Sequence, residues 1–196
     1  LAYGPTAFNV VEGVAKYLKQ LPYVDSNKLG CGSHSWSAKL GAYIFTHSKS
    51  IAATAISEGL VYGNMINTAL SIGHNGLSNL ETIENDFQFG NLWQHKELWL
   101  DQTTVLNVDK ANSPLLLFCN NKSSEDYQNQ TLQLYTSLRR LDKKVWWLKY
   151  NKGGHILNDK NEMKDFSIRY VQYFDHYLKE APAPKWMTKG MAGRTG

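Results

Sequence analysis

Leu29-Gly30-Cys31-Gly32-Ser33-His34-Ser35-Trp36-Ser37-Ala38-Lys39-Leu40 is the stretch on which the reading of this chain turns. The turn Asp25-Ser26-Asn27 leads into residues 28–32, which read as a short strand. Residues 35–47 then place Leu40, Tyr43, Ile44 and Phe45 among small residues, the pattern of a helix packed tightly on a sheet. A strand, a tight serine-rich turn and a helix therefore follow one another within 20 residues, the order expected of a parallel sheet whose crossovers are helical.

Upstream, residues 8–21 carry Val10, Val11, Val14, Leu18 and Leu21 at helical spacing, and Pro22 stops the run. Downstream, residues 51–56 predict a second strand, and a polar stretch from residue 59 to about 80 has no clear period. Residues 92–100 predict a helical turn or two anchored by Trp93 and Trp99. Leu115-Leu116-Leu117-Phe118-Cys119 is a continuous apolar run of the kind a parallel sheet buries on both faces. Residues 127–141 predict a helix and residues 145–150 a strand. Residues 165–179 predict a closing helix with Phe166, Tyr170, Val171, Phe174 and Leu178 inward, and Ala181-Pro182-Ala183-Pro184 opens an extended tail. The fold class is α/β, a mostly parallel sheet with helices on both faces.

The bulk composition agrees. With 196 residues, 42% of them hydrophobic and 12% aromatic, the chain supports one hydrophobic core. No apolar run approaches the roughly 20 residues of a membrane-spanning helix. A formal charge of +4 is mild, and the densest basic cluster, Arg139, Arg140, Lys143 and Lys144, falls at a helix end where cations complement the dipole, so nucleic acid is not an expected partner. Cys31 and Cys119 each lie on an apolar strand and read as inert core thiols. No metal cluster, phosphate loop or dinucleotide fingerprint is present, and no cofactor is expected.

Two residues stand where chemistry could occur. Ser33-His34-Ser35-Trp36-Ser37 sits where a nucleophile elbow, G-x-S-x-G, would hold a serine on a strained turn with its Oγ exposed. Both glycine positions are serine here, the next smallest polar choice. The helix N-terminus behind Ser35 would offer the backbone N–H of Trp36 to an oxyanion. His155, in Lys152-Gly153-Gly154-His155, lies in a loop directly after the last strand, where such a fold presents its general base. His34, His47, His74, His95 and His176 lack that setting. The orienting acid should stand in the loop after residues 115–119, which reads Asn120-Asn121-Lys122-Ser123-Ser124-Glu125-Asp126, with its carboxylates late.

With these pieces in order the chain resembles the catalytic domain of the prolyl oligopeptidase family of serine peptidases, particularly an exported bacterial branch. The resemblance runs through Tyr23-Val24-Asp25, Leu29-Gly30 and His34-Ser35-Trp36. It continues at Asp109-Lys110, Pro114-Leu115-Leu116, Leu138-Arg139-Arg140-Leu141, Lys144-Val145-Trp146 and Tyr150-Asn151. It closes at Tyr173-Phe174-Asp175-His176-Tyr177-Leu178-Lys179 and Ala181-Pro182-Ala183-Pro184-Lys185-Trp186-Met187. It implies the C-terminal portion of an α/β-hydrolase fold, with the early strands, an oxyanion donor and a β-propeller upstream of residue 1, and a periplasmic or exported location. It implies a peptide substrate, Ser35 as nucleophile and His155 as base, with no cofactor or metal. It also places Ser123 where the family has its catalytic aspartate, leaving Glu125 or Asp126 as substitutes. If the acid is simply lost, Ser123→Asp should raise activity; a catalytically dead binding module and an esterase are the alternatives on the same fold.

Overall fold

The computed structural model describes residues 3–59, 61, 63, 65–70 and 79–189. It is an α/β structure in which helix α1 (Tyr3–Leu18) precedes strand β1 (Gly30–His34), a 3-10 turn (Ser35–Ser37), α2 (Ala38–His47) and β2 (Ala53–Ser57). Three short helices follow, α3 (Met65–Leu70), α4 (Leu80–Asn85) and α5 (Lys96–Asp101). The chain then runs through β3 (Leu115–Phe118), α6 (Glu125–Arg140), β4 (Val145–Leu148), α7 (Lys160–Lys179) and α8 (Lys185–Thr188). The four strands lie in sequence order, all parallel, with Gly30 opposite Ala53, Thr54 opposite Leu115, and Leu115 opposite Val145. Parallel pairing puts the C-terminal end of every strand on one edge of the sheet, so the loops after β1, β2, β3 and β4 meet there.

The period of two along the strands sorts side chains between two cores. Ile56, Leu115, Leu117 and Val145 face α2 and α6, packing against Ala38, Ala42, Phe45, Leu134 and Leu138. Ala53, Ala55, Leu116, Phe118 and Leu148 face α7 and pack against Tyr173, with Phe166, Tyr170, Phe174 and Leu178 around it. β3 is buried on both faces, as its unbroken apolar run requires. Tyr173, fully buried, donates its hydroxyl to the carbonyls of Thr54 and Pro114 at 2.9 and 2.7 Å, satisfying a phenol that would otherwise be orphaned in the core. A third, smaller cluster gathers Met65, Ala69, Ile83, Phe89, Leu92 and Trp99 from α3 to α5.

Several expectations shift. α1 buries Gly4 and Ala15, leaving Val10 and Val14 in solvent, because the helix packs on α2, where the Phe8 ring meets Tyr43 edge-on, and Gly4 lies against the Gln102 side chain. Val171 is exposed and Tyr173 takes the inward place on α7. Trp93 is exposed, and Leu92 and Trp99 anchor its segment instead. α7 starts five residues earlier than its apolar pattern because Asp159 caps it, accepting from the backbone N–H groups of Asn161 and Glu162. The Pro-rich segment opens no simple tail: Trp186 and Met187 of α8 return to the α7 core, and the Trp146 indole donates to the Met187 carbonyl at 3.0 Å. Within the aperiodic stretch from residue 59 to 80, residues 65–70 form α3; His74 lies outside the described residues. Cys119 is buried, Cys31 partly so, and both are free. Among the described residues no helix is long and apolar enough to cross a membrane.

Candidate active site

Ser35 leaves β1 with φ 57°, the left-handed region that a side-chain-bearing residue enters only under constraint. The constraint is local. Ser37 Oγ accepts the His34 backbone N–H at 3.0 Å and donates to the His34 carbonyl at 2.8 Å, closing the turn behind the serine. Ser33, one of the two serines that replace the elbow glycines, is accommodated by a glycine elsewhere, and the turn at Ser35 itself by a second. A Cβ on Gly41 of α2 would overlap the Ser33 side chain, and one on Gly59 would overlap the Ser35 carbonyl oxygen. The small residues needed for close backbone approach have thus moved from the elbow to its neighbours.

A 2.7 Å hydrogen bond joins Ser35 Oγ to His155 Nε2, 120 residues apart in sequence. The loop carrying His155 is pinned to the loop after β3. The Lys122 N–H donates to the Gly153 carbonyl at 3.0 Å, and the Asn120 side-chain amide donates to the Gly154 carbonyl at 2.8 Å. A Cβ on Gly153 would press into the Asn120 side chain, so the Gly153-Gly154 pair permits that approach. Trp36 begins the turn after Ser35; its indole is 62% exposed and donates to the Tyr3 hydroxyl at 2.6 Å. Beneath it Lys39, buried on the first turn of α2, lies 3.1 Å from the Trp36 ring centroid and 4.0 Å from that of Phe87. Burial pulls its ammonium down to about 7.

The loop after β3 holds no carboxylate directed at His155 among the residues the sequence singled out. Ser124 caps α6 by accepting the Tyr127 N–H at 3.3 Å, and the Asp126 carboxylate accepts from the Gln130 amide at 3.1 Å. Glu125 is exposed on the first turn. Ser123 is nearly buried and donates its hydroxyl, at 2.5 Å, to a carboxylate that sequence reasoning did not weigh: Glu58, the residue directly after β2. Glu58 is 1% exposed and holds φ 46°, a second left-handed non-glycine residue on the same edge of the sheet. Its other oxygen accepts the Asn120 backbone N–H at 2.7 Å. Burial raises the Glu58 carboxyl above its ordinary value, while the Ser123 and Asn120 donors and the charge of His155 pull the other way.

His34 is the second omission. Its ring stands 5.2 Å from that of His155, centroid to centroid, and its Nδ1 is 2.9 Å from Ser57 Oγ. Burial, then the charge of His155, lowers its basicity. The remaining described histidines lie elsewhere. His47 meets Asp101 at 3.0 Å and stacks on Tyr43, and His176 Nδ1 meets the Ala181 carbonyl at 2.7 Å. Among the described residues no group of three histidine, cysteine or acidic side chains is arranged to hold a metal ion.

Solved structures share this architecture. The Pyrococcus horikoshii acylaminoacyl peptidase superposes with a TM-score of 0.74 over 94% of this chain and 29% of its own, at 19% identity. A Mycobacterium tuberculosis puromycin-hydrolyzing peptidase gives 0.76 over 90% of this chain and 26% of its own, at 13% identity. Porphyromonas gingivalis dipeptidyl peptidase 4 gives 0.72 over 90% and 23%, at 12% identity. The chain therefore spans less than a third of each, and at these identities the likeness establishes the α/β-hydrolase fold. No curated protein matches the sequence. The family model for the C-terminal domain of BAAT and acyl-CoA thioester hydrolases matches residues 9–159, from the helix before the elbow to just past His155. With most of its length matched, and with an elbow serine and a loop histidine inside that match, the chain belongs to the BAAT / acyl-CoA thioester hydrolase C-terminal family.

Proposed function

We propose that the chain is the C-terminal part of a serine hydrolase domain that cleaves acyl compounds, peptides foremost, through an acyl-enzyme on Ser35. The observation that carries this reading is the 2.7 Å contact between Ser35 Oγ, held at φ 57°, and His155 Nε2. Ser35 Oγ attacks the substrate carbonyl carbon, and His155 takes the hydroxyl proton as the new ester bond forms. His155 returns that proton to the leaving amine as the amide bond breaks. Water then enters, gives a proton to His155, and its oxygen attacks the acyl carbon; His155 passes that proton to Ser35 Oγ as the ester bond breaks, releasing the acid and restoring the serine. The Trp36 backbone N–H, first after the nucleophile, is the donor this chain would offer the oxyanion.

The family match favours a second reading in which the leaving group is a thiolate and the substrate an acyl thioester. The acyl-enzyme steps are the same, and only the leaving group distinguishes the two. Labelling of the full-length protein with a fluorophosphonate should modify Ser35, and Ser35→Ala should abolish labelling. The same variant should cut hydrolysis on the order of 10⁵–10⁶-fold. A panel of peptide amides, 4-nitrophenyl esters and acyl thioesters then ranks substrates. Unmodified Ser35 with unimpaired hydrolysis in Ser35→Ala would end the reading.

A further inference from the structure

We propose that Glu58, at the end of β2, is the carboxylate that positions His155 and balances its charge, taking over from the loop after β3, where Ser123 now serves as its hydrogen-bond donor. This inference rests on the Ser35–His155 reading above. Three observations carry it. The carboxylate is 1% exposed, and such a charge is kept inside a fold only with partners. It has them, a backbone N–H from Asn120 at 2.7 Å and a hydroxyl from Ser123 at 2.5 Å, both from the loop in which an acid was expected. Its backbone is held at φ 46°, beside Gly59 and a loop away from the equally strained Ser35. Strain in two side-chain-bearing residues on one edge of the sheet is the pattern of a built site.

The chemistry of the exchange is self-consistent. An aspartate at position 123 would face Glu58 with a second anion and no proton between them. A serine supplies the O–H that a buried carboxylate needs. Asn120 ties the assembly together, since its backbone N–H holds Glu58 while its side chain holds the Gly154 carbonyl next to His155. The other titratable groups near the pair are His34 and Tyr127, whose rings stand 5.2 and 6.0 Å from that of His155. Cys119 and Asp126 lie within electrostatic reach of Glu58 and Tyr127. Among the described residues Glu58 is the buried carboxylate, and it is bonded directly to the loop that fixes His155. The chain order of nucleophile, acid and histidine is kept, because Glu58 lies between Ser35 and His155.

The test uses the full-length protein with Glu58→Gln, Glu58→Asp, Ser123→Asp and Ser35→Ala, read by 4-nitrophenyl acetate hydrolysis, by fluorophosphonate labelling, and by NMR titration of the His155 ring. Glu58→Gln should lower kcat/KM by about 10²–10⁴-fold, the scale of a neutralised orienting acid. It should also move the midpoint of His155 titration to lower pH, because a lost neighbouring anion no longer favours the imidazolium. A purely structural role would reduce the active fraction without moving that midpoint. Glu58→Asp should recover part of both. Ser123→Asp in the wild-type background should lower activity. The proposal is overturned if Glu58→Gln leaves kcat/KM within about threefold of wild type and the midpoint in place, or if Ser123→Asp alone raises activity. Failure of the hydrolase reading looks different: Ser35 stays unlabelled while the His155 midpoint still responds to Glu58→Gln.

Discussion

The loops that follow β2 and β3 are neighbours on the same edge of the sheet, and they hold opposite ends of one hydrogen bond: Glu58 carries the carboxylate, Ser123 the hydroxyl. In sequence the second loop looks like the place for an acid, with Glu125 and Asp126 close at hand, and the first looks like a strand end. In space the ranking inverts. The β3 loop spends its acids on helix α6, while the single carboxylate after β2 is driven inward by a backbone in the left-handed region. If Glu58 is the acid proposed above, a functional charge has changed strands without leaving its place in the site, the vacated position supplying a donor rather than a second charge.

That comparison breaks or sharpens under mutation. The largest effect is expected from the exchange itself. Ser123→Asp should harm the wild type but improve Glu58→Gln by tenfold or more, recovering part of the ~10⁴ that a triad acid supplies; this reversal of sign is read as kcat/KM in a double-mutant cycle. Next comes the glycine after the carboxylate. Gly59→Ala would force a methyl onto the Ser35 carbonyl, costing about 1–3 kcal/mol as overpacking does and lowering the urea midpoint and the labelling rate together. Gly41→Ala should destabilise through the Ser33 side chain, yet Gly41→Ala with Ser33→Gly should recover most of the loss, because alanine suits a helix interior better by about 1 kcal/mol once the overlap is gone.

A smaller effect concerns stability against pH. Burial raises the Glu58 carboxyl, so the folded state binds that proton more tightly than the unfolded chain does. For this group stability is therefore highest below the ordinary carboxylate range and falls as pH rises through it. Glu58→Gln should match or exceed wild type in denaturant midpoint at pH 7, with the advantage shrinking as pH drops toward 4. Lost activity with retained or improved stability is the signature of a functional charge. Smallest of all, Glu125→Gln and Asp126→Asn should leave kcat/KM nearly unchanged, since neither carboxylate meets the His155 loop and surface substitutions of this kind have little effect.

Much of the fold was legible because it rests on local signals. The unbroken Leu115-Leu116-Leu117-Phe118 run, the elbow sequence around Ser35 and the helical spacing of residues 127–141 each state their own structure through burial period and chain stiffness. The pairing of Ser35 with His155 was legible for the same reason: both stand in short loops after strands, and parallel strands bring such loops to one edge. A signal for Glu58 existed as well, a carboxylate directly after a predicted strand and directly before a glycine, but nothing local separates that from an ordinary turn.

What tertiary structure alone decided is everything set by partners distant in the chain. Which face of α1 is buried depended on α2, so Val10 and Val14 lie outside while Ala15 lies in. The tolerance of Ser33 in the elbow depended on Gly41, and the close approach of the Ser35 carbonyl on Gly59. The identity of the buried carboxylate depended on Asn120 and Ser123, 62 and 65 residues away, because an acid is retained inside a protein only where donors from other segments converge to replace the water it has lost. Sequence by itself determines where strands, turns and helices fall; the convergence of donors across the edge of the sheet is a property of the packed whole.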